Sequence, residues 1–345
     1  MNIRRGIAMI LLIVLVGALA PLANAQSLPG VGADLYYLAP DSAGLAQLWR
    51  LGQDGTPTQL TEAEGGVAAY DVAFDRRTAY VVEGENRALL VNDNTVTGGP
   101  LDAEGVRVQD LAFSPGATQL AVVAVSADGS PNPAEGLWLF NLTTQSWTQP
   151  LPSTREEASA QVVQAVQWSP AGDRLLIDMD FAQTSGVGLL SLTTGDLLVF
   201  NLQGTNGAID ERGYGRATWT KDASAFVLSN VPQAVAGTGY QLSANDYTQI
   251  ALLMSADLAA QFYLSHPHLL REGYLYLRRD LLNAAPNTEV WQVRGTNATQ
   301  VGSFPLNDFA EVAWAPLGNA LVVTVSADGQ FGRPDFAGAR GNRQL

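Results

Sequence analysis

The feature that most limits what this chain can become is a unit that recurs about every 48 residues along most of its length. An aromatic residue is followed by a small or polar one, usually a proline, then a turn and an aliphatic run. The unit reads Leu111-Ala112-Phe113-Ser114-Pro115-Gly116 ahead of 120–125, and Val166-Gln167-Trp168-Ser169-Pro170-Ala171-Gly172 ahead of 175–177. It returns as Val312-Ala313-Trp314-Ala315-Pro316-Leu317-Gly318 ahead of 320–325. Weaker copies are Val72-Ala73-Phe74-Asp75 ahead of 79–82 and Ala217-Thr218-Trp219-Thr220 ahead of 225–228, with a degenerate one at 262–264 followed by 274–277.

Each hairpin is followed by a strand carrying Trp or Leu and then a turn. Examples are Gln47-Leu48-Trp49-Arg50-Leu51, Gly136-Leu137-Trp138-Leu139-Phe140, Gly188-Leu189-Leu190-Ser191-Leu192 and Glu289-Val290-Trp291-Gln292-Val293. Short alternating strands punctuated by Asp-Gly or Thr-Gly are hairpin signals. Beyond the N-terminus no stretch keeps a helical apolar period over 12 or more residues, so the chain reads as all-β. Four strands per unit at this period describe a propeller blade.

The aromatic turn followed by a Leu-Trp strand resembles the WD-like β-propeller repeats of TolB-like proteins, over nearly all of the chain beyond residue 25. The family's Pro-Asp-Gly turn is present as Pro115-Gly116, Pro170-Ala171-Gly172 and Pro316-Leu317-Gly318, without the aspartate. The resemblance implies a propeller that binds proteins or peptides at a mouth of the ring or in its channel. Five periods separate Phe74 from Trp314, which fits six blades better than seven, with seven left open. The strands at 310–325 are then expected to share a blade with the first strands, closing the ring and removing sheet edges that template aggregation.

Residues 1–25 read as a secretory signal. Arg4 and Arg5 precede an apolar run from Gly6 to Leu19, and Ala23-Asn24-Ala25 supplies the small residues a signal peptidase needs, with cleavage after Ala25. The run is too short for an ordinary membrane span. Association with a membrane is expected only if the signal stays uncleaved. The propeller is assigned to 26–326. Residues 327–345, with Arg333, Arg340, Arg343 and many glycines, are assigned to a flexible tail without a strand.

Composition removes other functions. The sequence has no cysteine, which excludes thiolate metal sites, a cysteine nucleophile and a lipoprotein anchor. Its 33 acidic residues face 19 basic ones, and loss of Arg4 and Arg5 with the signal leaves a charge near −16. Such a surface repels phosphate backbones, so nucleic acid is not an expected partner, whereas a basic protein or peptide is.

No catalytic set emerges. A serine hydrolase needs a Gly-x-Ser-x-Gly elbow and a histidine base, and the two histidines, His266 and His268, flank Pro267 without such an elbow. They face one side if extended, but Pro267 argues for a loop. Asp178 and Asp180 alternate on a strand and are the candidates for channel carboxylates or a calcium site. Asn92-Asp93-Asn94 and Asp54-Gly55 read as turn chemistry rather than calcium loops. The equivalent positions of Trp49, Trp138 and Trp291, and of Trp168, Trp219 and Trp314, point to packing between blades. Trp147, Tyr240 and Tyr247 fall outside that register and are the surface candidates. Two long insertions, 230–247 and 128–135, mark the loops where function is expected.

The expectation is therefore an exported, monomeric, non-catalytic propeller without cofactor or metal, acting as a protein- or peptide-binding scaffold. The alternatives are a carbohydrate-active enzyme with channel carboxylates and a ligand-sensing cell-surface ectodomain.

Overall fold

The computed structural model describes residues 13–16, 34–84, 88–155, 160–181, 185–200, 216–220, 222–229, 240–246, 249–252, 262–269, 274–280, 287–294, 297–304, 311–314, 321–324 and 335–336. Its regular structure is β throughout apart from one 3-10 turn, Gly99–Asp102. Five consecutive stretches each form a four-stranded antiparallel meander, paired in chain order. These run from Val67–Val72 to Asn94–Val96, from Val106–Phe113 to Ser146–Pro152, and from Gln161–Trp168 to Leu197–Phe200. The remaining two run from Arg216–Trp219 to Gln249–Leu252 and from Phe262–Leu269 to Asn297–Phe304.

A sixth four-stranded sheet joins the ends of the chain. Leu35–Pro40, Ala46–Leu51 and Pro57–Gln59 pair in order, and Asp335–Phe336 adds antiparallel to the outside of Leu35–Pro40, with Leu35 opposite Phe336. The C-terminal strand is thus not the hairpin expected at 310–325, and it lies inside the segment expected to carry no strand. That hairpin, Glu311–Trp314 with Leu321–Thr324, belongs to a separate sheet, completed by Ile13–Val16 running parallel to Leu321–Thr324.

We number the sheets from the one containing Leu35–Pro40. Burial explains why the strands read as nearly continuous apolar runs. Side chains alternate between two faces along a strand, and here both faces are covered. In Gln119–Ser126 every residue after Gln119 is buried. Leu120 and Val122 pack toward sheet two with Ala79, Val81 and Leu89, whereas Ala121, Val123 and Val125 pack toward sheet four with Trp168, Leu175 and Ile177. Sheets one and two share Leu38, Leu48, Tyr70 and Tyr80, and sheets four and five share Leu189, Phe200, Trp219 and Phe226. The core is thus a series of seams between neighbouring sheets, and each fully buried aliphatic contributes about 1.5–3 kcal/mol.

First strands of neighbouring sheets lie side by side, from Val67–Val72 through Val106–Phe113 to Gln161–Trp168. Polar side chains stitch them across the seams. Asp71 Oδ2 accepts the Phe113 N–H at 2.6 Å, and Asp110 Oδ2 accepts the Val166 N–H at 3.0 Å. Trp168 Nε1 donates to the Ala112 carbonyl at 2.9 Å, and the Tyr70 hydroxyl to the Tyr36 carbonyl at 2.8 Å. Asp71 and Asp110 thus link neighbouring sheets even though the turn aspartate of the resembled family is missing.

Candidate functional site

The meander makes the two ends of the molecule unequal. Turns from first to second strand and from third to fourth lie at one end, while second-to-third and fourth-to-first connections lie at the other. The first kind are short, such as 73–77, 114–118, 169–173, 220–224 and 142–145. The second kind include 97–105 and 127–135.

At the short-turn end four turns share one conformation. Arg76, Ala117, Gly172 and Ala223 have φ of 69°, 48°, 76° and 58°, and each donates its N–H to the carbonyl three residues back. Only Gly172 meets this left-handed requirement without a side-chain penalty. Hydroxyls hold the turns: Ser114 Oγ accepts from the N–H groups of Thr118 and Gln119, and Ser169 Oγ from those of Asp173 and Arg174. Most of the acids here are also spent on turns. Asp54 accepts the Thr56 N–H, and Asp222 binds the backbone and hydroxyl of Ser224, so hydrogen bonding lowers both carboxyl pKa values. Asn92 and Asp93 form a two-residue turn with φ of 47° and 62°, and Asp93 accepts the Tyr80 hydroxyl at 2.7 Å. Burial, reinforced by that carboxylate, pushes the Tyr80 phenol up to about 12. Arg77 and Arg174 reach the carbonyls of Ala117 and Ala244 on the neighbouring sheets.

The long-loop end is built differently. Two buried polar side chains at the start of third strands gather the connections. Gln47 donates to the Ala63 carbonyl and accepts from the Thr61 hydroxyl and the Ala63 N–H, tying 60–66 to the third strand of sheet one. Glu135, with its side chain 1% exposed, accepts the Ser126 N–H and a two-point ion pair from Arg155. Asn132 Nδ2 bonds the Glu104 carbonyl, Ala127 N–H the Gly105 carbonyl, and Gln149 Nε2 the carbonyls of Pro133 and Glu135. The expected functional loop 128–135 is therefore held against both 97–105 and 149–155. Gly65 lies so close to Glu83 that a Cβ there would meet its carbonyl oxygen at 1.7 Å.

On this framework stand exposed acids: Glu62, Glu64, Glu83, Asp102, Glu104, Asp128 and Asp180. The carboxylates of Glu62, Glu64, Glu83 and Glu104 make no hydrogen bond or ion pair with described residues, unlike the turn acids opposite. On sheets one to four the described cations at this end are Arg107, bonded to Gln109, and Arg155, held by Glu135.

Several sequence candidates move. Asp178 and Asp180 share a face of Arg174–Phe181, a second strand and hence one step removed from the first strands; Asp180 is exposed at the long-loop end, where its charge acts on Arg155. His266 and His268 lie in the strand Phe262–Leu269 rather than in a loop, and Pro267 is accommodated by a register shift between Ser265 and His268. Trp168 and Trp219 are buried as packing residues, but Trp49, Trp138 and Trp291 are only half-buried. Their indole N–H groups bond Ala39 O, Ala134 O and Glu289 Oε2 within their own sheets. Trp147 is not a free surface aromatic. It packs 4.8 Å from Phe140, stands edge-on to Trp138 and bonds the Thr97 carbonyl of the preceding sheet's exit loop. Phe74 belongs to the turn and is 41% exposed, because it lies two residues past Val72, which takes the buried strand-end position held by Phe113 in sheet three. Tyr247, most of 230–247, the side chains of Trp314 and Tyr240, and Arg333, Arg340 and Arg343 lie outside the described residues.

No protein-family model matches the sequence, and no curated protein matches it. Solved structures do match. TolB from Acinetobacter baumannii is 14% identical, with a TM-score of 0.51 over 90% of this chain and 68% of that one. The β-propeller domain of Cps50 (Swd1) from Myceliophteria thermophila is 12% identical, with a TM-score of 0.55 over 86% and 91%. A prolyl endopeptidase is 12% identical, with a TM-score of 0.53 over 78% of this chain and 43% of that one. At these identities the likeness is one of fold, and the fold is a β-propeller, similar to those of TolB and Cps50 (Swd1).

Proposed function

We propose that this protein is exported through cleavage after Ala25 and acts as a monomeric, non-catalytic propeller that binds a basic protein or peptide across its long-loop end. The observation that carries this is the contrast between the two ends. At the short-turn end Asp54, Asp75, Asp93 and Asp222 are engaged by turn groups or by Arg77, and Asp196 alone among the described acids there makes no such contact, whereas at the other end four exposed carboxylates, Glu62, Glu64, Glu83 and Glu104, stand uncommitted on loops fixed by Gln47 and Glu135. A rigid platform with uncompensated negative charge steers cationic partners and loses little entropy when they dock. In this reading the sheets form one ring of seven, joined through Asp335–Phe336 on Leu35–Pro40.

The test is capture from culture fluid or cell envelope by the protein lacking residues 1–25, followed by kinetics with the captured partner. Changing Glu62, Glu64 and Glu104 to Lys should lower the association rate about tenfold at low salt, with the difference shrinking as salt rises. Absence of a partner at micromolar concentration, or kinetics indifferent to both charge and salt, would overturn the proposal. Polysaccharide cleavage abolished by Asp178→Asn or Asp180→Asn would replace it with a carbohydrate-active enzyme.

A further inference from the structure

Among the described residues six sheets have four strands each, and the seventh has three. Its hairpin supplies two strands, Glu311–Trp314 and Leu321–Thr324. The next described strand, Asp335–Phe336, has already left for the sheet of Leu35–Pro40. The third place is taken by Ile13–Val16, paired residue for residue and in parallel from Ile13 opposite Leu321 to Val16 opposite Thr324. Every other pairing between described strands is antiparallel. The occupant comes from the apolar run of the segment read as a cleaved leader. Among the described residues, removing it leaves a strand edge with open N–H and C=O groups beside six four-stranded sheets. Such an edge templates the addition of another strand.

We infer that Leu321–Thr324 is a strand-accepting edge, filled by the leader in the precursor and, after processing, by an extended aliphatic segment of a partner protein running parallel to it. The register of this pairing defines the ligand: at least four residues of β-branched or leucine character, like Ile13-Val14-Leu15-Val16, held by main-chain hydrogen bonds. This inference rests on the binding-module reading and on leader cleavage, and adds a second contact to the acidic end.

Hydrogen exchange followed by mass spectrometry tests it on three proteins: the full chain, the chain from Gln26, and the full chain with Val14→Pro. Peptides covering Leu321–Thr324 should exchange at least about tenfold faster in the second and third than in the first. A synthetic peptide carrying Leu12-Ile13-Val14-Leu15-Val16-Gly17 between lysines should restore protection to the chain from Gln26. The proline variant leaves the ring's own sequence untouched, so its effect is not one of misfolding. Equal protection in all three proteins, or no response to the peptide, overturns the inference. N-terminal sequencing of the exported protein separates the two readings. If residues 1–25 are retained, the edge is never vacated and this inference falls while charge-dependent binding at the long-loop end stands.

Discussion

Arg155 grips the buried Glu135 at two points, Nε to Oε2 at 2.8 Å and Nη2 to Oε1 at 2.6 Å. The arginine side chain is 26% exposed and the carboxylate only 1%, so the two partners are not equivalent. Arg155→Ala strands a buried charge and should cost about 3 kcal/mol in denaturant unfolding. Arg155→Lys, which keeps the charge but loses the fork, should cost about 1–2 kcal/mol. Faster amide exchange in 127–135 should accompany both.

Gly99 has φ +60°, and a Cβ there would lie 2.6 Å from Trp147 Cδ2. Gly99→Ala should therefore destabilise by about 1–3 kcal/mol. Combining it with Trp147→Phe, which relieves the overlap, should cost measurably less than the sum of the single changes in a double-mutant cycle.

Asp71 is 1% exposed and its Oδ2 receives the Phe113 N–H across a sheet seam. Asp71→Ala leaves that buried donor unsatisfied and should cost about 2 kcal/mol, whereas Asp71→Asn retains an acceptor and should cost less. Equal thermal shifts for the two variants would remove the seam hydrogen bond from the explanation.

Tyr80 sets an alkaline limit. Its folded pKa of about 12 lies above the ordinary value of 10.0, so the folded state holds the proton more tightly than the unfolded chain. Stability from this group is complete below pH 10 and is lost as the pH rises toward 12. Burial raises Tyr36, Tyr37 and Tyr276 as well, which steepens the loss. Tyr80→Phe should flatten the decline by about 1 kcal/mol over that window, reduced by solvent at the exposed Asp93. Unfolding monitored from pH 9 to pH 12 measures it.

The hairpins were legible because the aromatic, the hydroxyl and the turn recur as one local unit. Phe113, Trp168 and Trp219 fell into place for that reason. Phe74 did not, since the strand ends two residues earlier and Val72 takes the place in the seam, a shift the pattern of residues does not announce. The stitching was invisible for a different reason. Asp71 and Asp110 bond residues 42 and 56 positions away, and Trp147 docks on a loop 50 positions back, so nothing in their neighbourhood announces it. The character of the long-loop end was half legible: the insertion at 128–135 was evident, but the role of Glu135 as its anchor depends on Arg155, which the repeat does not mark. The strand at Asp335–Phe336 is too short to carry a pattern at all.

The unequal ends give the molecule a direction in which it can be modified. Sequence inserted between Ser130 and Pro131, both exposed and beyond the turn in which Asp128 accepts the Ser126 hydroxyl and the Ser130 N–H, would project from a loop whose base is already fixed. The same insertion at Ala117 would break a left-handed turn and release the Arg77 contact with the next sheet. The protein is thus a one-sided display support, able to carry foreign peptide on one end while the other keeps the sheets in order.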